Sequence, residues 1–222
     1  MYNKRFSLTI LAAVTLLASC ADAPEADIAA TSDAQEVSSV TGADYGVNLN
    51  SSTVEWIGTK PVAQHHGFVQ IKEGSLTVAD GNITGGSYVI DLTSIKSDDQ
   101  QDEYAKKLDG HLMSGDFFDV EQFPTGTFEI TSVTEGVTQS DDLIMKDATH
   151  MITGNLTLKG VTKSITFPAK VNMSEGKVVA DANFNIDRTN WGLVYGNDES
   201  LGDKFIRPEI NLDIHLEAEN VM

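Results

Sequence analysis

The sequence predicts an all-β domain: an antiparallel barrel of about eight strands with a single helix beside it. Three observations lead there. From Tyr45 onward, short runs of β-branched and aromatic residues are bounded by Gly, Asn and Asp. In 209–217 (EINLDIHLE), Ile210, Leu212, Ile214 and Leu216 alternate with polar residues, which describes a strand with one dry and one wet face. Helical spacing of apolar residues is confined to one stretch, 97–113. Strands with one polar face each can close on themselves, and closure leaves no edge unpaired.

Taken in order, residues 1–19 read as an export signal. Lys4 and Arg5 precede an apolar run that ends at Leu17-Ala18-Ser19-Cys20. Cys20 is the single cysteine of 222 residues, so no disulfide can form within the chain. Residues 20–44 are small, polar and acidic, a composition that favours a flexible tether. The domain itself is expected over 45–222, without internal repeats. In 53–57 (TVEWI), Val54 and Trp56 share a face. Runs at 68–71 and 76–78 flank Glu73-Gly74, and Asp80-Gly81-Asn82 is a strong turn signal. Tyr88, Ile90 and Leu92 share a face of 83–92, where Gly85-Gly86 suggests a bulge or bend. For the helix at 97–113, Ser97 is the expected cap, Asp98 and Asp99 suit its first turn, and Tyr104, Leu108 and Leu112 form its apolar stripe. Phe128 and Ile130 open the next strand. Leu156 and Leu158, Ile165 and Phe167, and Phe184 and Ile186 mark three more before the last one at 209–217.

The formal net charge of −18 speaks against nucleic acid and against an electrostatic hold on anionic lipid surfaces, both of which need basic patches. In 108–130 (LDGHLMSGDFFDVEQFPTGTFEI), Phe117, Phe118 and Phe123 crowd one turn of a chain that is 7% aromatic. Turns are normally polar, so these rings must bury against something. Asp116 and Asp119 suit turn formers better than an acid–base pair, and no nucleophile elbow, phosphate loop or dinucleotide fingerprint accompanies them. The chain is therefore expected not to be an enzyme and to need no cofactor. His65 and His66 are neighbours, so on a strand they point to opposite faces and cannot easily share a metal ion. With His111 they are candidates for polar contacts at a mouth, and no metal site is expected.

Three motifs, 111–133 (HLMSGDFFDVEQFPTGTFEITSV), 154–171 (GNLTLKGVTKSITFPAKV) and 184–192 (FNIDRTNWG), resemble in order and spacing the YceI-like lipid- or polyisoprenoid-binding family. The resemblance covers about 45–218. It implies an extended, lipocalin-like barrel enclosing an apolar tunnel for a long-chain isoprenoid or similar amphiphile, in a periplasmic protein. The Leu-Ala-Ser-Cys ending resembles a bacterial lipobox, which implies lipid on Cys20 and a membrane-anchored envelope protein. The candidate tunnel wall is Val54 and Trp56, Tyr88 and Ile90, Phe117 and Phe118, Phe128 and Ile130, Leu156 and Leu158, Ile165 and Phe167, Phe184 and Ile186, and Leu212 and Ile214. For any one of these residues taken singly, a filled core is the favoured reading, and only a cavity separates the two. In 184–192 the family's Arg-x-x-aromatic-Gly segment brings Arg188, a candidate for a lipid head group or for an ion pair with a nearby acid. A barrel filled by its own side chains, serving as an envelope interaction protein, is the alternative. A homodimer is left open.

Overall fold

A computed structural model describes residues 22–137 and 143–221. The expected export signal at 1–19 and the lipidation site Cys20 lie outside the described residues.

Eight antiparallel strands close the barrel. They are Thr53–Lys60 (β4), Ala63–Ala79 (β5), Asn82–Ser97 (β6), Thr125–Glu135 (β7), His150–Leu158 (β8), Val161–Ser174 (β9), Lys177–Asp187 (β10) and Glu209–Asn220 (β11). Each pairs with the next in sequence, and β11 returns to β4 through Leu212↔Trp56 and Ile214↔Val54. Two of the tight hairpins, Asp80-Gly81 and Lys159-Gly160, hold both central residues at positive φ, the turn geometry whose twist matches that of the flanking strands. The runs at 68–71 and 76–78 form one long strand, with register shifts on either side of Ile71. Those shifts bend the strand and let the sheet curl. The expected irregularity at Gly85-Gly86 is present, with Gly86 at φ 147 and a register shift where Thr77↔Gly85 gives way to Val78↔Ile83.

The helix, Asp102–Met113 (α1), starts later than its sequence pattern suggests. Strand β6 continues to Ser97, whose N–H and Oγ both donate to Asp109 Oδ1 at 2.7 Å. Asp98 and Asp99 hold His66 and His65 instead of capping the helix. Tyr104 is 76% exposed, and Leu108, Leu112 and Met113 carry the inward side.

The segment expected to be a flexible tether is partly built into the wall. Strands β9 and β10 pair only between 170–174 and 177–181, and then diverge. Into the gap step Asp27–Ile28 (β1), parallel to β10, and Ala30–Asp33 (β2), antiparallel to β9. Ala43–Val47 (β3) similarly bridges β11 and β5. Little apolar burial holds 24–35; polar clamps do. Asn155 exchanges two hydrogen bonds with the Gln35 backbone (2.9 and 2.7 Å), Asn185 Nδ2 donates to Pro24 O (2.9 Å), and Asp27 accepts from the N–H groups of Ile144 and Met145 (2.9 and 2.8 Å). Unpaired backbone groups on diverging strands need partners, and a polar segment supplies them as well as an apolar one.

Candidate functional site

The barrel is hollow in one half and packed in the other. The cavity holds about 490 Å³. Val54 and Trp56 line it from β4, Tyr88 and Ile90 from β6, Phe128 from β7, and Leu156 and Leu158 from β8. Ile165 and Phe167 from β9, Phe184 and Ile186 from β10, and Leu212 and Ile214 from β11 complete the ring. These are alternate positions on each strand, as the period of two requires. One expected wall residue is not there. Ile130 is buried in the core but does not line the cavity. It lies past Phe128 on β7 and, like Ile71, Ile152, Val171, Val178 and Leu216, is buried without lining the cavity.

A row of rings separates the halves. Tyr88 and Phe128 have centroids 5.3 Å apart, Phe128 and Phe167 5.8 Å, and Phe167 stacks on Phe184 at 4.1 Å and 13°. Offset ring contacts of this kind add attraction beyond their burial. Gly154, on the strand between Phe128 and Phe167, makes room for the row: a Cβ there would strike the Phe128 ring and stand 2.7 Å from Glu129 O.

The other end is the mouth. The turn after α1 is wound around Ser114, whose carbonyl accepts from the N–H groups of Phe117 (3.0 Å) and Asp119 (2.9 Å), while Asp119 takes a positive φ. Phe117 is thereby buried, edge-on to His111 (5.2 Å), near Tyr195 (5.5 Å) and under the Arg188 guanidinium (5.8 Å). His111 also meets Tyr195 edge-on at 4.7 Å. Phe118 lines the cavity half-buried. Asp116 bonds His111 (3.1 Å), so this aspartate braces the turn.

His65 lines the cavity and bonds Asp99 at 2.8 Å. Asp99 is itself held below its ordinary value: partial burial works against the shift, and hydrogen bonds from Gln100, His65 and the His66 backbone outweigh it. His66 was an expected head-group contact, but it does not line the cavity; it points out from the wall and bonds Asp98 at 2.6 Å. Strand alternation is the reason, since neighbours cannot share a face.

Arg188 is 1% exposed and lines the cavity. Among the described residues it makes no ion pair, so the expected pairing with a nearby acid is not seen there. Its guanidinium donates to the carbonyl oxygens of Arg207 (3.1 Å), Ile206 (2.8 Å) and Leu193, tying the segment after β10 to the strand entry at 206–208. Burial pushes its pKa down, opposed by the more distant charges of Asp187 and Glu209. The same segment is pinned by Trp191, fully buried, whose Nε1 donates to Leu156 O at 2.9 Å. Leu193, Tyr195, Ile206 and Arg207 bring it into the lining. Sequence reasoning missed these residues, because an irregular segment has no periodicity to read.

The match to the YceI-like domain spans residues 45–218. The chain belongs to the YceI-like domain family. A UPF0312 protein of Pseudomonas aeruginosa (strain LESB58) is 36% identical over 99 residues, 45% of this chain and 44% of that one. Protein YceI of Salmonella arizonae is 46% identical over 68 residues, 31% of this chain and 30% of that one. The chain thus matches less than half the length of these curated relatives. Among solved structures, BcnA of Burkholderia cenocepacia superposes with a TM-score of 0.59 at 19% identity, covering 77% of this chain and 98% of that one. A polyisoprenoid binding domain from Saccharophagus degradans gives 0.57 at 14% identity, covering 80% and 98%. At these identities the likeness is one of fold. The YceI-like match begins at residue 45, so the strap formed by β1 and β2 lies outside it.

Proposed function

We propose that this chain binds a long-chain isoprenoid or similar amphiphile, tail first, in the hollow half of its barrel. The reading is carried by the cavity of about 490 Å³ walled by aliphatic and aromatic side chains, a size typical of small-molecule sites. An isoprenoid tail offers no hydrogen bonds, so its affinity comes from burial, at about 25 cal/mol per Å². Such a wall supplies that and little else. Membership of the YceI-like family and the fold shared with a polyisoprenoid binding domain support the same reading. The export signal and the lipobox-like ending at Cys20 extend it to a membrane-anchored carrier or sequestering protein facing the periplasm. The aligned apolar wall, rather than any catalytic constellation, is what the site offers, so the proposal is of binding without turnover.

Mass spectrometry of organic extracts from the purified protein tests it. A single-chain amphiphile recovered in near-stoichiometric amount is the expected result. Protein that yields no lipid, and that gains no thermal stability when titrated with farnesol or longer prenols, would overturn it. Fractionation of cells, with and without Cys20→Ser, tests the anchor: the wild type should partition with membranes and the variant with the soluble fraction.

A further inference from the structure

We propose that the open end of the barrel rests on a lipid bilayer, with Val62, Val194, Tyr195 and Leu201 of its rim set into the surface, so that the cavity opens into the membrane and not into water. The inference rests on the reading that Cys20 carries a lipid anchor, and adds which face of the domain that anchor holds against the membrane.

The first observation is where the chain joins the fold. By composition, residues 20–44 suit a tether that lets the domain stand clear of a surface. The structure instead fixes that segment to the barrel almost from its start. Asp22 pairs with Arg207 Nη2 at 2.6 Å, Asn185 Nδ2 donates to Pro24 O at 2.9 Å, and β1 and β2 follow at once. Arg207 lines the cavity, and its carbonyl accepts from Arg188 at 3.1 Å, so the chain enters the fold at the mouth. Cys20 lies two residues before Asp22, a reach of at most about 7 Å, and four before Pro24, about 14 Å. The far end of the barrel lies about 35 Å away along the 11 residues of β10. An anchor on Cys20 therefore holds the mouth, and not the far end, close to the membrane.

The second observation is the rim itself. Val62 is 65% exposed in the turn between Lys60 and Ala63, which joins β4 to β5. Val194 is 59% exposed between Leu193 and Tyr195, and Leu201 is exposed shortly before Lys204. Lys60, Leu193, Tyr195 and Lys204 all line the cavity, which places these apolar side chains around its opening. Tyr195 is also exposed, and its apolar ring with a polar hydroxyl suits a membrane–water interface. Exposed apolar side chains grouped at one place mark an interaction surface. Leu49 and Val221 are exposed at the far end, but the hairpin turns there are Asp80-Gly81 and Glu175-Gly176, and the segment that leads to Cys20 joins the barrel at the mouth.

The contact is apolar and not electrostatic. The net charge is −18, and Asp198, Glu199 and Asp203 stand beside Leu201 in the chain, so anionic lipid repels this rim. Interfacial binding scales with buried apolar area, which four side chains supply sparingly. The anchor makes the contact intramolecular and so raises its effective concentration.

The test uses the full chain carrying its lipid, reconstituted into phosphatidylcholine vesicles that contain a small fraction of nitroxide-labelled lipid. A fluorophore is attached through Leu201→Cys on the rim or, in a second protein, through Asp80→Cys at the far end; lipid on Cys20, the single native cysteine, leaves no other thiol. The rim fluorophore should be quenched several-fold more than the far one, and added anionic lipid should not increase the quenching. Val62→Asp with Val194→Asp, both at exposed sites, should bring the two positions towards equality. Equal quenching at both positions on vesicle-bound protein, quenching that needs anionic lipid, or a rim signal indifferent to Val62→Asp with Val194→Asp overturns the docking while leaving the anchor reading intact. A chain whose Cys20 proves unmodified by mass spectrometry, or that does not float with the vesicles, overturns the anchor reading and the docking with it.

Discussion

Two isoleucines form a matched experiment on the division of the barrel. Ile90 and Ile130 lie on adjoining strands, are 7% and 8% exposed, and each faces a glycine across the sheet (Gly126 and Gly154). They differ in that Ile90 lines the cavity and Ile130 does not. Replacing either by Ala removes three carbons from the interior, about 2–2.5 kcal/mol of transfer free energy at ~0.8 kcal/mol for each. In the packed half the deletion also opens a new void. At about 24 cal/mol per Å³ this adds 1–2 kcal/mol, for a total of about 3–4.5 kcal/mol for Ile130→Ala. In the hollow half, side-chain atoms already border empty space and have fewer contacts to lose, so Ile90→Ala should cost about 2–3 kcal/mol. Urea unfolding of the delipidated protein measures the difference, provided that the slopes agree. At this domain size a gap of ~1 kcal/mol moves the melting temperature by roughly 2–4 °C. With a prenyl lipid added, only Ile90→Ala should lose part of the ligand-induced stabilisation, since that stabilisation follows affinity. An Ile90→Ala penalty equal to or above that of Ile130→Ala would refute the hollow-half argument.

Gly154→Ala should lower stability by about 1–3 kcal/mol through overpacking, because its Cβ meets both the Phe128 ring and Glu129 O; the near-ultraviolet circular dichroism should change with it, and an unaltered melt and spectrum would remove Gly154 from the account. Asn155→Ala removes both clamps on Gln35 and should cost about 1–2 kcal/mol while speeding amide exchange across 30–35; unchanged exchange there would show that the strap is held by its ladder alone. His215 has its pKa raised, first by its hydrogen bond to Asp181 and further by Glu217, against some desolvation. A raised folded value means that this contribution is fully present below the ordinary histidine value of about 6.5 and fades as pH rises through the folded one. The stability gap between wild type and His215→Gln should therefore be widest near pH 6 and narrow by about pH 9, and a gap constant over that range would contradict the assignment.

The sequence made the barrel legible because alternation is a local property. The wet and dry faces of 209–217 sit where the period of two puts them. Position along the barrel axis is not local. Alternation says that Ile130 points inward as surely as Phe128 does, yet not on which side of the ring row it falls. The strap at 27–33 left no apolar trace because backbone ladders and the clamps of Asn155 and Asn185 hold it. The one hint was two asparagines within strands, where Asn is disfavoured. The early strand-to-helix boundary was misplaced because Asp98 and Asp99 look like helix-start residues until His65 and His66 are known to lie across the sheet from them.

A hollow interior and a buried cation both subtract from stability, and the fold places them together. The row of Tyr88, Phe128, Phe167 and Phe184 lets the far half keep a continuous core of Ile71, Ile130, Ile152, Val171, Val178 and Leu216. That half can hold the barrel closed while the near half stays empty. At the mouth, Arg188 does two things with one side chain. It fastens Leu193, Ile206 and Arg207 over the opening, and it leaves a charge in the wall that those carbonyls only partly offset.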